Sequence, residues 1–191
     1  MTMTPKQQER IKNKIKKIKA ALTADKKHWG GYYHDGQGLR YIPPQLYLQI
    51  DDYSGGLRYF NWFDKNFSDD SCYPDFLFEW TIILFKTKRL KEAEIKAFQL
   101  FCSDNNQFFK IAGHNNSTIS DQEFAESYII ELKNKDSLSD FKTWFDKLTT
   151  SEKFLHLCSK YIDIKKRLNT EQDEETTSYL RQQLEQLMSG L

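Results

Sequence analysis

Backbone breakers are scarce in this chain: 8 glycines and 4 prolines in 191 residues leave few places where a helix must stop. Cysteine is equally sparse. Cys72, Cys102 and Cys158 are odd in number and widely spaced, which excludes a disulfide framework and fits no zinc pattern, so reduced, structural thiols are expected. No apolar run approaches the roughly 18 residues of a membrane span. The first residues interleave lysine with isoleucine instead of building a secretory apolar core, so a cytoplasmic protein without membrane association is expected. Phosphate-binding glycine loops are missing as well, because Gly30-Gly31 and Gly36-x-Gly38 have neither a preceding strand nor a following Lys-Ser/Thr. His28 and His34 stand six apart while His114 and His156 are remote, so no pair has metal-ligand spacing. His156 and Cys158 are two apart on a helix and do not face each other. No metal, cofactor or catalytic residue is expected.

What the chain does have is aromatic side chains, 14 Phe, 10 Tyr and 4 Trp, enough to fill a core or line a groove with rings. The length suits one compact helical body at about 100–200 residues per domain. Net charge is only +1 but unevenly spread. Residues 1–27 carry nine basic side chains against Glu9 and Asp25, and residues 51–79 carry seven acids against Arg58 and Lys65. Such arms attract each other within one chain or between copies, which would make a homo-oligomer.

Ile11, Ile15, Ile18 and Leu22 recur at spacings of four, three and four, which predicts a basic amphipathic helix over residues 1–28, starting near Pro5. Residues 29–43 hold four glycines among Trp29, Tyr32, Tyr33 and Tyr41 and read as a structured loop. Helices are then predicted near 44–50, 53–66, 74–86 and 89–102, with turns at Asp51-Asp52, Ser68–Cys72 and Thr87-Lys88. A polar insertion from Phe101 to Ser120 should break the pattern. Further helices over 119–191 follow from capping boxes at Ser120/Glu123 and Thr149/Glu152, weaker pairs at Ser137 and Thr170, and apolar rows such as Phe141/Trp144/Phe145/Leu148. An all-α fold without a substantial sheet follows.

Two stretches repeat. Laying Asp51-Asp52-Tyr53 on Lys88-Arg89-Leu90 puts Tyr47 on Leu84, Gly56 on Ala93, Phe60 on Ala97 and Phe63 on Leu100, a constant offset of 37 residues. Such self-similarity marks stacked helical pairs. Trp62-Phe-Asp-Lys65 returns as Trp144-Phe-Asp-Lys147, so residues 121–148 read as a degenerate third pair. Through Asp52-Tyr53, Gly56, Ala93, Ala97 and the run Leu90-Lys-Glu-Ala-Glu94, residues 44–102 resemble two tetratricopeptide repeats. Gly38-Leu-Arg-Tyr-Ile-Pro-Pro-Gln-Leu-Tyr-Leu48 with the repeat after it is similar to bacterial proteins of that kind. The resemblance implies antiparallel helical hairpins, in an open array or a closed bundle, that bind a protein or peptide and do no chemistry. The period is longer than the family's 34 residues. Pro43-Pro44 stand where its early tryptophan and glycine would be.

Three functional expectations result. A groove lined by first-helix residues Tyr47, Trp80 and Leu84 would receive a protein or peptide partner. The loop Trp29–Tyr41 would alternatively hold a small anionic ligand, Arg40 clamping a carboxylate or phosphate beside His34 and Asp35, with Tyr32, Tyr33 or Tyr41 stacking on it. The lysines of the first helix would, as a third course, attract nucleic acid. The aspartates 64, 69, 70 and 75 lack the order of a calcium loop and read as a solvated, helix-capping turn.

Overall fold

A computed structural model of the chain describes residues 3–112 and 130–189, and every regular element among them is helical. The helices are α1 (Pro5–His28), α2 (Pro43–Gln49), α3 (Tyr53–Asn66), α4 (Pro74–Lys86), α5 (Leu90–Ser103), α6 (Asn105–Ala112), α7 (Ser139–Thr149), α8 (Glu152–Thr170) and α9 (Glu174–Ser189). Short 3₁₀ turns at Leu39–Tyr41 and Asp136–Leu138 lead into α2 and α7. The chain divides into two compact units, Met1–Asp70 and Ser71–Leu191.

In the first unit α1 begins at a capping box: Thr4 Oγ1 accepts from the Gln7 amide at 3.3 Å and Gln7 Oε1 accepts from the Thr4 amide at 2.8 Å. Pro5 takes the first helical position, where its missing N–H costs nothing. The predicted stripe is the buried one, with Ile15, Ile18 and Leu22 inside and Ile11 partly covered, packed with Leu46, Tyr47 and Tyr59. The lysines stay in water except Lys26, which is half-buried and donates to Asn66 Oδ1 at 3.3 Å.

The pair α2–α3 and the pair α4–α5 are joined by the same turn. The Asp52 amide bonds the Tyr47 carbonyl at 3.0 Å and the Asp51 amide the Leu48 carbonyl at 3.4 Å. At an offset of 37, the Arg89 amide bonds Leu84 at 2.9 Å and the Lys88 amide bonds Phe85 at 2.9 Å. Both are Schellman closures, in which a left-handed residue lets two amides reach back to carbonyls the helix leaves orphaned. Both flow directly into the next helix through Gly56 N–H to Asp52 and Ala93 N–H to Arg89, each at 3.0 Å. Gly56 is buried and Ala93 and Ala97 are wholly so. Small residues at these places let the paired helices approach closely.

In the second unit α4 and α5 pack as a hairpin, α5 also meets α6, α8 and α9, and α7 lies against α4, α6 and α8. Rings dominate the contacts: Phe78 meets Phe141 and Phe145 at 5.6 Å between centroids, and Phe98 meets Phe154 edge-on at 6.1 Å.

Several local expectations need correction. The described part of the polar insertion expected from Phe101 to Ser120 is helical as α6, because Phe108 and Ile111 fall on one face and bury completely or nearly so, Phe108 against Phe101, Phe145 and Phe154; residues 113–120 lie outside the described residues. Thr149 is no N-cap. It ends α7 and turns its hydroxyl back to the Asp146 carbonyl, while Ser151 caps α8 through the Phe154 amide. Thr170 likewise ends α8, and Asp173 caps α9 by accepting from the Thr176 amide at 2.8 Å. Asp140, three after Ser137, is drawn instead to Lys86 at 3.0 Å. Of the suggested third pair, α7 shows the burial pattern of α3, Phe141 and Phe145 matching Tyr59 and Phe63, but the turn before it has no Schellman bonds among the described residues. The Ser120/Glu123 box, Phe124, Tyr128 and His114 lie outside the described residues.

Candidate functional site

The loop after α1 is held from below by Asp25. Its carboxylate accepts the His34 and Asp35 amides at 2.8 and 3.1 Å, which turns the chain back over the end of α1. Asp35 sits in the left-handed region at φ 35°. Its carboxylate caps the 3₁₀ turn by accepting the Leu39 and Arg40 amides at 2.8 and 3.0 Å. Its side chain is 2% exposed, so a lone negative charge there would be costly.

Arg40 supplies the counter-charge. One terminal nitrogen pairs with Asp35 at 2.9 Å and Nε with Asp70 at 3.0 Å, and the guanidinium lies over the rings of Tyr41 and Phe67 at 4.5 and 5.1 Å. Tyr41 donates its hydroxyl to the same Asp70 oxygen at 2.5 Å. Tyr59 donates to the Arg40 carbonyl at 2.7 Å, tying the loop to α3. Burial works against the Arg40 charge, but its hydrogen bonds to Asp35 and Asp70 outweigh burial and raise its pKa. Burial, seconded by the bond to Asp70, pushes the Tyr41 phenol above its ordinary value. The expected anion clamp thus exists but closes on the chain's own carboxylates. Asp70, read as a solvated turn residue, is its second jaw.

The other loop residues divide. Tyr33 turns inward between Trp62 and Phe67, with Lys26 over its ring at 4.7 Å. Trp29 stacks on His34 at 4.9 Å and stays half exposed, and Tyr32 is 80% exposed. Trp80 and Leu84 belong to the second unit and are 6% and 2% exposed, because α4 is covered along nearly its whole length. Lys96 sits over the Trp80 ring at 3.6 Å. These two residues are core and do not line a surface groove.

Tyr47, the remaining candidate, does border a cavity, in company the sequence did not suggest. A depression of about 330 Å³ opens in the first unit, with Ile15, Tyr47 and Ile50 as its apolar lining and Lys12, Lys16, Lys19 and Asp52 as its polar one. Burial raises the Tyr47 phenol above its ordinary value, with Asp52 adding to the shift. Gly55 leaves room for the Asp52 and Tyr47 side chains to crowd against it. A methyl there would stand 2.3 Å from Asp52 Oδ2 and 2.5 Å from Tyr47 Cε1.

Among the described residues no three His, Cys, Asp or Glu side chains gather as a metal site would require, and no helix is long and apolar enough to cross a membrane. Cys102 and Cys158 have thiols raised by burial, Cys158 to about 12, which is unsuited to a nucleophile. No family model, curated protein or solved structure matches this chain.

Proposed function

We propose that the chain is a non-enzymatic, tetratricopeptide-like helical-hairpin module that binds a protein or peptide. The observation that carries this reading is the recurrence of one inter-helix turn, with the same three backbone bonds, at an offset of 37 residues. Repeated hairpins supply a rigid scaffold whose surface side chains are free to serve recognition. The lysine-bordered cavity and the exposed Trp29 and Tyr32 are the surfaces such a scaffold offers. The small-anion reading loses support because Arg40 already commits Nε to Asp70 and one terminal nitrogen to Asp35. Nucleic-acid binding through α1 keeps the charge it needs, but Tyr47, the aromatic residue lining the cavity, is only 8% exposed and offers a base little ring face to stack on.

The test is affinity capture with the full chain from its source cells, identification of the retained protein, and a titration of that protein, purified, against the chain. A 1:1 complex of micromolar or tighter affinity supports the reading. A chain that retains nothing saturable while a nucleotide or metabolite raises its melting temperature would sink it.

A further inference from the structure

We infer that the cavity between α1 and α2 takes an acidic peptide segment that inserts one large apolar side chain; this rests on the interaction-module reading above. Lys12, Ile15, Lys16 and Lys19 fall at helical spacings of three and four, so one face of α1 presents an apolar residue ringed by cations. Tyr47 and Ile50 complete the apolar side from the end of α2. The cavity, about 330 Å³, lies near the bottom of the roughly 300–1,000 Å³ range of ligand sites. It has room for a single leucine, phenylalanine or tryptophan side chain and none for a helix.

Charge selects the rest of the partner. Lys12, Lys16 and Lys19 have no ion-pair partner among the described residues, whereas other lysines do: Lys86 holds Asp140 and Lys133 holds Asp146. Asp52, the one acid among the described lining residues, is occupied in capping α3 through the Gly55 amide at 2.8 Å. Three unanswered cations around an apolar pit complement carboxylates flanking an apolar anchor. A phosphate backbone would meet the lysines but leave the pit unfilled, so a peptide is the better fit.

The experiment measures fluorescence anisotropy of the full chain with a labelled synthetic peptide of glutamates around one central tryptophan. Two control peptides carry alanine in place of the tryptophan or glutamine in place of the glutamates. Binding should weaken by roughly tenfold or more for either control, and should fall as salt rises. Lys12→Glu/Lys16→Glu/Lys19→Glu, whose changes are all on exposed positions and whose helicity is checked by circular dichroism, should lose binding. Equal binding of the alanine peptide, unchanged binding by the triple variant, or tighter binding of a single-stranded oligonucleotide or an anionic phosphatidylserine vesicle would overturn the assignment. A captured natural partner that binds the triple variant undiminished would overturn it too, while leaving the module reading intact.

Discussion

Asp51 and Lys88 stand 37 residues apart and hold the same backbone place, the left-handed residue of a Schellman turn, at φ 54° and 66°. Neither is glycine, although glycine adopts this conformation most cheaply. Asp51 softens the cost, since a short polar side chain tolerates the left-handed region and its carboxylate accepts from the Tyr53 hydroxyl at 2.8 Å. Lys88 has no such relief in its own conformation. The two turns are therefore alike in backbone geometry and unequal in strain.

Lys88→Gly should consequently stabilise the protein. Removing a left-handed penalty of about 1–2 kcal/mol against an entropy cost of about 0.5–1 kcal/mol leaves a gain of up to about 1.5 kcal/mol. Asp51→Gly should gain less or nothing. Urea-unfolding midpoints of the two variants would check the ranking, and a loss of stability in Lys88→Gly would show that the turn is not strained.

Arg40→Ala strands the buried Asp35 carboxylate, and breaking such a pair costs about 3–5 kcal/mol. Asp70→Asn should cost less, because its side chain is 12% exposed and its amide oxygen can still accept from Arg40 and Tyr41. Thermal melts of both variants test the order. Inorganic phosphate should leave the wild-type melting temperature unmoved; a phosphate-dependent rise that Arg40→Ala removes would restore the anion-clamp reading.

The raised phenols make stability sensitive to alkali. Burial lifts Tyr41 and Tyr59 above the unfolded value of about 10. Above pH 10 the unfolded chain therefore releases protons that the folded chain keeps. The stabilisation is fully present below that pH and is lost as pH rises beyond it. Absorbance titration near 295 nm, a phenolate band, should show these two rings ionising only as helicity collapses. Tyr59→Phe should flatten the alkaline slope, although losing its hydrogen bond to the Arg40 carbonyl costs about 0.5–1.5 kcal/mol.

Thiol reactivity should track burial. With the Cys158 thiol pushed to about 12 and Cys102 raised as well, on the order of one Cys158 in ten thousand is thiolate at pH 8. A chromogenic disulfide reagent should label at most Cys72 promptly in the folded protein and all three cysteines in denaturant. Prompt labelling of Cys158 in the native state would contradict its 3% exposure.

Local physics was enough for much of this fold. The helix α1 and its buried stripe, the bounds of α2 to α5, and the 37-residue correspondence could be read from apolar spacing, breakers and turn residues, because these act over a turn or two of chain. The places where reading failed involve choices among near neighbours or distant partners. Ser151 rather than Thr149 caps α8 because α7 runs on to Thr149, and α6 forms because Phe108 finds rings from α5, α7 and α8. The site depended still more on distance. That Arg40 needs an anion follows from its charge, but that the anions are Asp35 and Asp70 is settled by a fold that carries Asp70 back across 30 residues. That Tyr47 borders lysines 12, 16 and 19 is likewise decided by how α1 lies on α2, since no periodicity along one helix states which neighbour it will cover.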